Sequence, residues 1–364
     1  MKAVVVHNTG GIDVLTYTLN HPTIPKVPPP GHALVRNEYA GLNFIDTYHR
    51  KGLYPRQCPF ILGQEGGGIV VALHPSSSSS IISDSIIKVD TRVAYNALVG
   101  SYAEYAIVPI DKLVPIPNDI GMTIAVACMT QGLTAHYLSS SVGAGIANVG
   151  DWVLVYGVGS GTGQWTAQMC TLRGYRVIGL TSRCKIIVND DDDDNYDTEE
   201  TEGDVTAAQK ARFGCEELII LENEPNKSYA SYTSVDIVKR VMEITGGIGC
   251  KLIIDGIGLL TYEISLNCLA QRGLFVSYGN ASGPVPPFPV LRLLPQSAYM
   301  TRPKLNDYIN TRDELLARAE EVFEWVRTEK LNIVIDKVFA LDEVALGHEY
   351  LENGSSRGKV LYKI

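Results

Sequence analysis

Up to about residue 127, apolar positions come in short runs broken by Pro and Gly: KAVVVH, HALVRN, GGIVVAL, RVAYN and AEYAIVP. Runs of that length between frequent turn residues predict a β-rich region. From about residue 128 the pattern lengthens and alternates. DWVLVY (151–156) reads as a buried strand, and Gly161 to Arg173 as a helix closed by Gly174. YRVIGL (175–180), ELIIL (217–221), KLIID (251–255) and LFVSYG (274–279) read as further strands, with a helix running to about Gly214. Strands alternating with helices predict a parallel sheet covered on both faces. After about residue 304, Thr311 and Glu314 have the spacing of a capping box. Leu315, Leu316, Ala319, Val322, Phe323 and Val326 follow as one apolar stripe, which predicts a helix packed on a core. The last strands, IVIDKVFA and KVLYKI, resemble the first region again. The chain is therefore read as 1–127 and 304–364 forming one domain, with 128–303 inserted as a second.

Composition changes this picture in one place. The chain has 364 residues, 45% hydrophobic and 20% charged, enough for two ordinary globular domains. Its net charge of −9 is concentrated in NDDDDDNYDTEETEGD (189–204), which holds ten acids and no base. Without that tract the body carries 31 basic and 30 acidic residues, so it offers no cationic surface for nucleic acid. The tract itself, like PSSSSSIISDS (75–85), reads as a solvated low-complexity loop. No apolar run approaches the ~18 residues of a membrane span, and MKAVVVH is too short for a signal-peptide core. Seven scattered cysteines, without a C-x-x-C pair, fit free thiols in the cytoplasm.

The candidate chemistry starts at VYGVGSGTGQ (155–164), with glycines at 157, 159, 161 and 163. Its place between a strand and a helix marks it as a dinucleotide loop, where backbone N–H groups and a helix start meet a pyrophosphate. No register satisfies G-x-G-x-x-G, because Thr162, Gln164 or Thr166 falls at the third glycine. The next strand ends GLTSRCK (179–185), with Ser182, Arg183 and Lys185 where an NAD site would carry an acid. Cations there favour a 2′-phosphate, and hence NADPH.

NFIDTYHRKGLYP (43–55), GQEGGGIV (63–70), GSYAEYAIVP (100–109), QGLTAHYL (131–138) and VSYGNASGPVPP (276–287) carry a family resemblance. Together they resemble the quinone oxidoreductase (zeta-crystallin-like) branch of the medium-chain dehydrogenase/reductases, over nearly the whole chain. The resemblance implies an α/β fold: a GroES-like β-rich catalytic domain split by an inserted Rossmann-type nucleotide-binding domain. The family's cofactor loop usually reads A-A-G-G-V-G, so VGSGTG departs from it, with Ser160 adding a side chain beside the pyrophosphate. Gly159, Ser160, Gly161, Thr162 and Gly163 form that loop. The resemblance further places Asn43, Tyr48 and Tyr54 around nicotinamide and substrate as catalytic residues. It places Thr134, Tyr278, Gly279 and Asn280 near the nicotinamide carboxamide and ribose. The tyrosine that some relatives carry after the third strand falls at about Leu221, so that contact does not transfer.

Zinc-dependent members of the superfamily need a Cys near Asn43 and a His in a G-H-E motif. Here Asn43 and Gln64 stand there, and an amide is no substitute for thiolate or imidazole, so no metal is expected. The polarising groups are then side chains, and two phenols offer flat faces and hydrogen-bonding hydroxyls. The expected activity is NADPH-dependent reduction of a quinone, ortho-quinones included, by a homodimer. Whether one electron or a hydride moves is left open. Reduction of α,β-unsaturated aldehydes or ketones is the first alternative; a crystallin-like or AU-rich-RNA-binding role without catalysis is the second.

Overall fold

A computed structural model describes residues 1–22, 25–74, 87–186, 202–227 and 229–364 of the chain. The serine-rich loop and residues 189–201 of the acidic tract lie outside the described residues.

Six parallel strands form the central sheet, in the spatial order Glu217–Leu221, Arg176–Ser182, Trp152–Tyr156, Cys250–Asp255, Leu269–Ser277 and Tyr299–Thr301. The strand that comes first in sequence, Trp152–Tyr156, is interior, and the order runs outward from it in both directions. Its residues are apolar on both sides for that reason. Val153 and Val155 join a core cluster on one face, with Tyr137, Leu138 and Ala167. Leu154 and Tyr156 join another on the opposite face, with Ile178, Ile237 and Leu266. A parallel sheet that reverses its order opens a crevice at the carboxyl ends of its strands.

The second large sheet has seven strands. Ile335–Ala340 and Lys359–Lys363 lie at one side, followed by His32–Leu42, Glu65–Leu73, Arg92–Asn96 and Leu113–Pro115, with Tyr105–Pro109 paired on His32–Leu42. The last strand of the chain pairs with the middle of the first half, Val360 opposite Leu42. Residues 152–301, which build the parallel sheet, thus sit between two portions that share another. A three-stranded sheet, Leu15–Thr18, Ala3–Val6 and Phe60–Ile61, completes the β-rich part.

The helix Arg312–Arg327 starts with the expected capping box: Glu314 N–H donates to Thr311 Oγ1 at 3.2 Å, and Thr311 N–H donates to Glu314 Oε2 at 3.0 Å. Leu315, Ala319, Val322 and Phe323 are buried, while Leu316 and Val326 are half-buried. The stripe packs against Val126, Leu133 and Trp165 in one cluster, which ties the two large sheets together. One turn went unforeseen in the sequence. Between the helices Met122–Ala127 and Leu133–Ser140, residues Cys128–Gly132 form a π-helical turn.

Candidate active site

A cavity of about 610 Å³ opens at the carboxyl end of Trp152–Tyr156, between the two large sheets. Its phosphate end is made by the glycine loop. Gly161 opens the helix Gly161–Leu172 at φ +50°, in the left-handed region that favours glycine. A Cβ on Gly163 would stand 2.5 Å from the Tyr156 carbonyl oxygen and closer still to that of Gly157, so only glycine lets helix and strand approach this closely. A Cβ on Gly159 would meet Thr181 Oγ1 and, at 2.6 Å, Lys185 Cβ. Ser160 is the N-cap, yet its hydroxyl makes no capping bond. The first-turn N–H groups of Gly161, Thr162 and Gly163 are therefore left to a ligand, at the positive end of the helix dipole.

The walls suit an anion. The described lining residues include Arg302 and Lys304, and none of them is acidic. Gln131, on the π-helical turn, is buried at the cavity wall, and its Oε1 has no partner among the described residues. The glycine loop and the uncapped helix start fit a dinucleotide with a pyrophosphate.

The opposite end is built from side chains. Helix Phe44–Lys51 starts at Asn43 and ends at Gly52, whose φ of +81° turns the chain toward Tyr54. The rings of Tyr48 and Tyr54 meet edge to face, 5.3 Å apart. Tyr48 Oη accepts the Asn280 backbone N–H at 2.9 Å. Tyr54 Oη accepts Arg302 Nη2 at 3.0 Å and, more weakly, Asn280 Nδ2 at 3.4 Å. Burial pushes the Tyr48 hydroxyl up to about 12, so it keeps its proton through the neutral range.

Beneath the tyrosines lies a buried ionic floor. Lys359 and Glu65, both fully buried, form an ion pair. The Asn43 amide joins it, Nδ2 donating to Glu65 Oε2 at 2.8 Å and Oδ1 accepting from Lys359 Nζ at 2.9 Å. Glu65 Oε1 accepts the Thr130 N–H, at the π-helical turn. Asp46 Oδ2 accepts the Asn43 backbone N–H at 2.9 Å and the Tyr102 hydroxyl at 3.0 Å, and burial raises its carboxyl to about 7.

Of the residues singled out in the sequence, Asn43, Tyr48, Tyr54, Thr134, Ser160, Gly161, Thr162, Gly163, Tyr278 and Gly279 line the one cavity. Asn280 reaches it through its bonds to both tyrosines, and Gly159 shapes the loop from behind. The strand-end residues do not join them. Arg183 is half exposed and pairs with Glu222 at 2.8 Å. Ser182 is buried beside Cys184. Lys185 turns inward, its ammonium donating to the carbonyls of Gly354 and Ser356. Desolvation lowers that ammonium to about 8. Asn43 borders the cavity with both ends of its amide already bonded to protein.

Arg302, Gln131 and the Glu65–Lys359 pair were not foreseen. Arg302 directly follows the strand Tyr299–Thr301, at the carboxyl end where ligands bind, and that three-residue strand is not among those the sequence pattern marks. Nothing local marks the Lys359 pairing. Among the described residues no cluster of three His, Cys, Asp or Glu side chains could hold a metal ion.

Two family models match the chain, the alcohol dehydrogenase GroES-like domain over residues 29–118 and the zinc-binding dehydrogenase domain over 227–361. A quinone oxidoreductase of Pseudomonas aeruginosa is 34% identical, over 97% of this chain and 96% of its own length. Among solved structures, a mycobacterial protein complexed with NADPH superposes with a TM-score of 0.85 at 32% identity, covering 100% of both chains. Escherichia coli quinone oxidoreductase complexed with NADPH gives 0.83 at 29% identity, also over 100% of both. With its fold superposing along the whole chain and its sequence about one-third identical to quinone oxidoreductases over nearly full length, this protein belongs to the quinone oxidoreductase family of the medium-chain dehydrogenase/reductases.

Proposed function

We propose that the protein is a zinc-independent NADPH:quinone oxidoreductase. The observation that carries this reading is the joining, in one cavity, of an uncapped helix start at Gly161 and a pair of hydrogen-bonded phenols, Tyr48 and Tyr54. NADPH, when bound, supplies two electrons and one hydrogen, and a proton completes the conversion of quinone to hydroquinone. The backbone N–H groups of residues 161–163 would hold the cofactor's pyrophosphate. Thr134, Tyr278 and Gly279 would border the nicotinamide, and Leu42, Ile45 and Leu98, which line the same cavity, would give the quinone ring an apolar wall.

Tyr48 and Tyr54 each accept hydrogen bonds from the protein, which leaves their own hydrogens to point at a substrate oxygen. Such fixed donors stabilise charge developing on that oxygen without reorganisation, an effect on the order of 3 kcal/mol per donor. Asn43 acts one step back: its backbone N–H and amide, tied to Asp46, Glu65 and Lys359, fix the start of the helix that carries Tyr48. Asn43 and Gln64 stand where zinc-dependent members of the superfamily carry thiolate and imidazole, and an amide at either position replaces neither ligand.

Two features support the remaining parts of the reading. Cys58, Cys128, Cys170, Cys215, Cys250 and Cys268 are free thiols, which suits a cytoplasmic protein. Tyr299–Thr301 is an edge strand of the parallel sheet, and Val290, Leu291 and Leu294 before it are exposed, so a second copy pairing there would cover both. Light scattering should give the mass of a dimer, reduced to a monomer by Leu291→Lys.

The activity is tested by following NADPH consumption with a simple ortho-quinone and a simple enal in parallel. Faster turnover of the quinone is expected. Turnover of the enal alone would move the protein to double-bond reduction, and absence of NADPH binding would end the enzyme reading.

A further inference from the structure

We propose that Arg302 is a positioning residue for Tyr54, an inference that rests on the reading above. Its guanidinium is held by the parallel sheet: Nη1 donates to the carbonyls of Ser277 at 2.7 Å and Gly279 at 2.9 Å. From that anchor Nη2 reaches across the cleft to Tyr54 Oη at 3.0 Å. Tyr54 lies 248 residues earlier, in the portion of the chain that shares the other large sheet. Arg302 therefore joins the two walls of the cavity at a reacting group.

The geometry gives Arg302 a specific effect. A phenol oxygen accepts at most two hydrogen bonds. Arg302 supplies one and Asn280 Nδ2 the other, so the Tyr54 hydrogen is turned away from both, into the cavity. The planar guanidinium spreads its donors over separate nitrogens, so Nη1 serves the two carbonyls while Nη2 reaches the phenol, a spacing that the single nitrogen of an ammonium does not reproduce. Without Arg302, the Tyr54 hydroxyl loses the donor that fixes its rotation, and its hydrogen is no longer held toward the substrate. Arg302 also lines the cavity, so a direct contact with an anionic ligand is the competing role that the test must separate.

The experiment is a double-mutant cycle with Arg302→Gln and Tyr54→Phe, reading kcat for an ortho-quinone and, separately, the NADPH dissociation constant by fluorescence titration. Arg302→Gln should lower kcat about tenfold while NADPH affinity stays within about twofold, and it should add little in the Tyr54→Phe background, because coupled residues are not additive. Arg302→Lys should behave like Arg302→Gln. Added guanidinium ion should restore part of kcat in Arg302→Ala but none in Arg302→Ala/Tyr54→Phe. Multiplicative losses in the double variant overturn the proposal, as does weakened NADPH binding with kcat unchanged. A wild type that turns over no quinone overturns the functional reading as well; a wild type that does, with multiplicative losses, overturns this inference alone.

Discussion

The phosphate end of the cavity is built within seven consecutive positions, Gly157 to Gly163, and acts through backbone N–H groups and missing Cβ atoms. The tyrosine end is built from Tyr48, Tyr54, Asn280 and Arg302, which meet through hydrogen bonds spanning up to 248 residues. The first is a property of one βα unit, and the second exists only when both large sheets are in place. A change in the loop should therefore act on cofactor affinity, and a change at or beneath the tyrosines on turnover.

The strongest way to break that separation is to remove the floor. Lys359→Met leaves Glu65 buried with its charge unpaired, which should cost about 3–5 kcal/mol of stability. Thermal unfolding should show it; an unchanged melting temperature would mean that the floor supports neither end. Gly163→Ala comes next. Its Cβ meets backbone on two sides, so the helix must move off the strand at a cost of about 1–3 kcal/mol. NADPH affinity measured by fluorescence should fall at least about tenfold, whereas intact affinity would deny the loop its role.

Asp46 gives a pH-dependent test at the tyrosine end. Its folded-state carboxyl is raised to about 7, chiefly by burial, whereas the unfolded chain ionises near the ordinary 3.8. Between those values the folded protein holds the extra proton, so this group removes stability as pH rises and ceases to do so above about 7. The slope approaches about 1.4 kcal/mol per pH unit. Asp46→Asn should abolish that decline, and its melting temperature should gain on the wild type between about pH 4 and about pH 7. A constant gap would contradict the raised carboxyl. The smallest effect belongs to Ser160→Ala: with no capping bond to lose, NADPH affinity should change by less than about twofold. A larger loss would show that the hydroxyl itself touches the cofactor.

The same contrast explains what could be read from the chain alone. Strand Glu217–Leu221 and the capped helix at Arg312 were legible because period, caps and turn residues are local. The glycine loop was legible for that reason too, despite lacking G-x-G-x-x-G. Arg183 and Lys185 show where local reading stops. Two cations at a strand end suggest a phosphate, but only the folded chain brings the Gly354 and Ser356 carbonyls to Lys185, and Glu222 to Arg183. Asn43 was placed at the cavity, while its bond to Lys359 depends on a strand more than 300 residues away and its bond to Glu65 on another strand of the same sheet. Arg302 was missed because its three partners lie in two other segments.

The most direct measurement is a Tyr48→Phe/Tyr54→Phe double variant, assayed for NADPH dissociation by fluorescence and for ortho-quinone turnover in the same preparation. The division between the two ends requires affinity within about twofold of the wild type and turnover reduced at least about a hundredfold. Unchanged turnover, or a collapse of NADPH affinity, would contradict it.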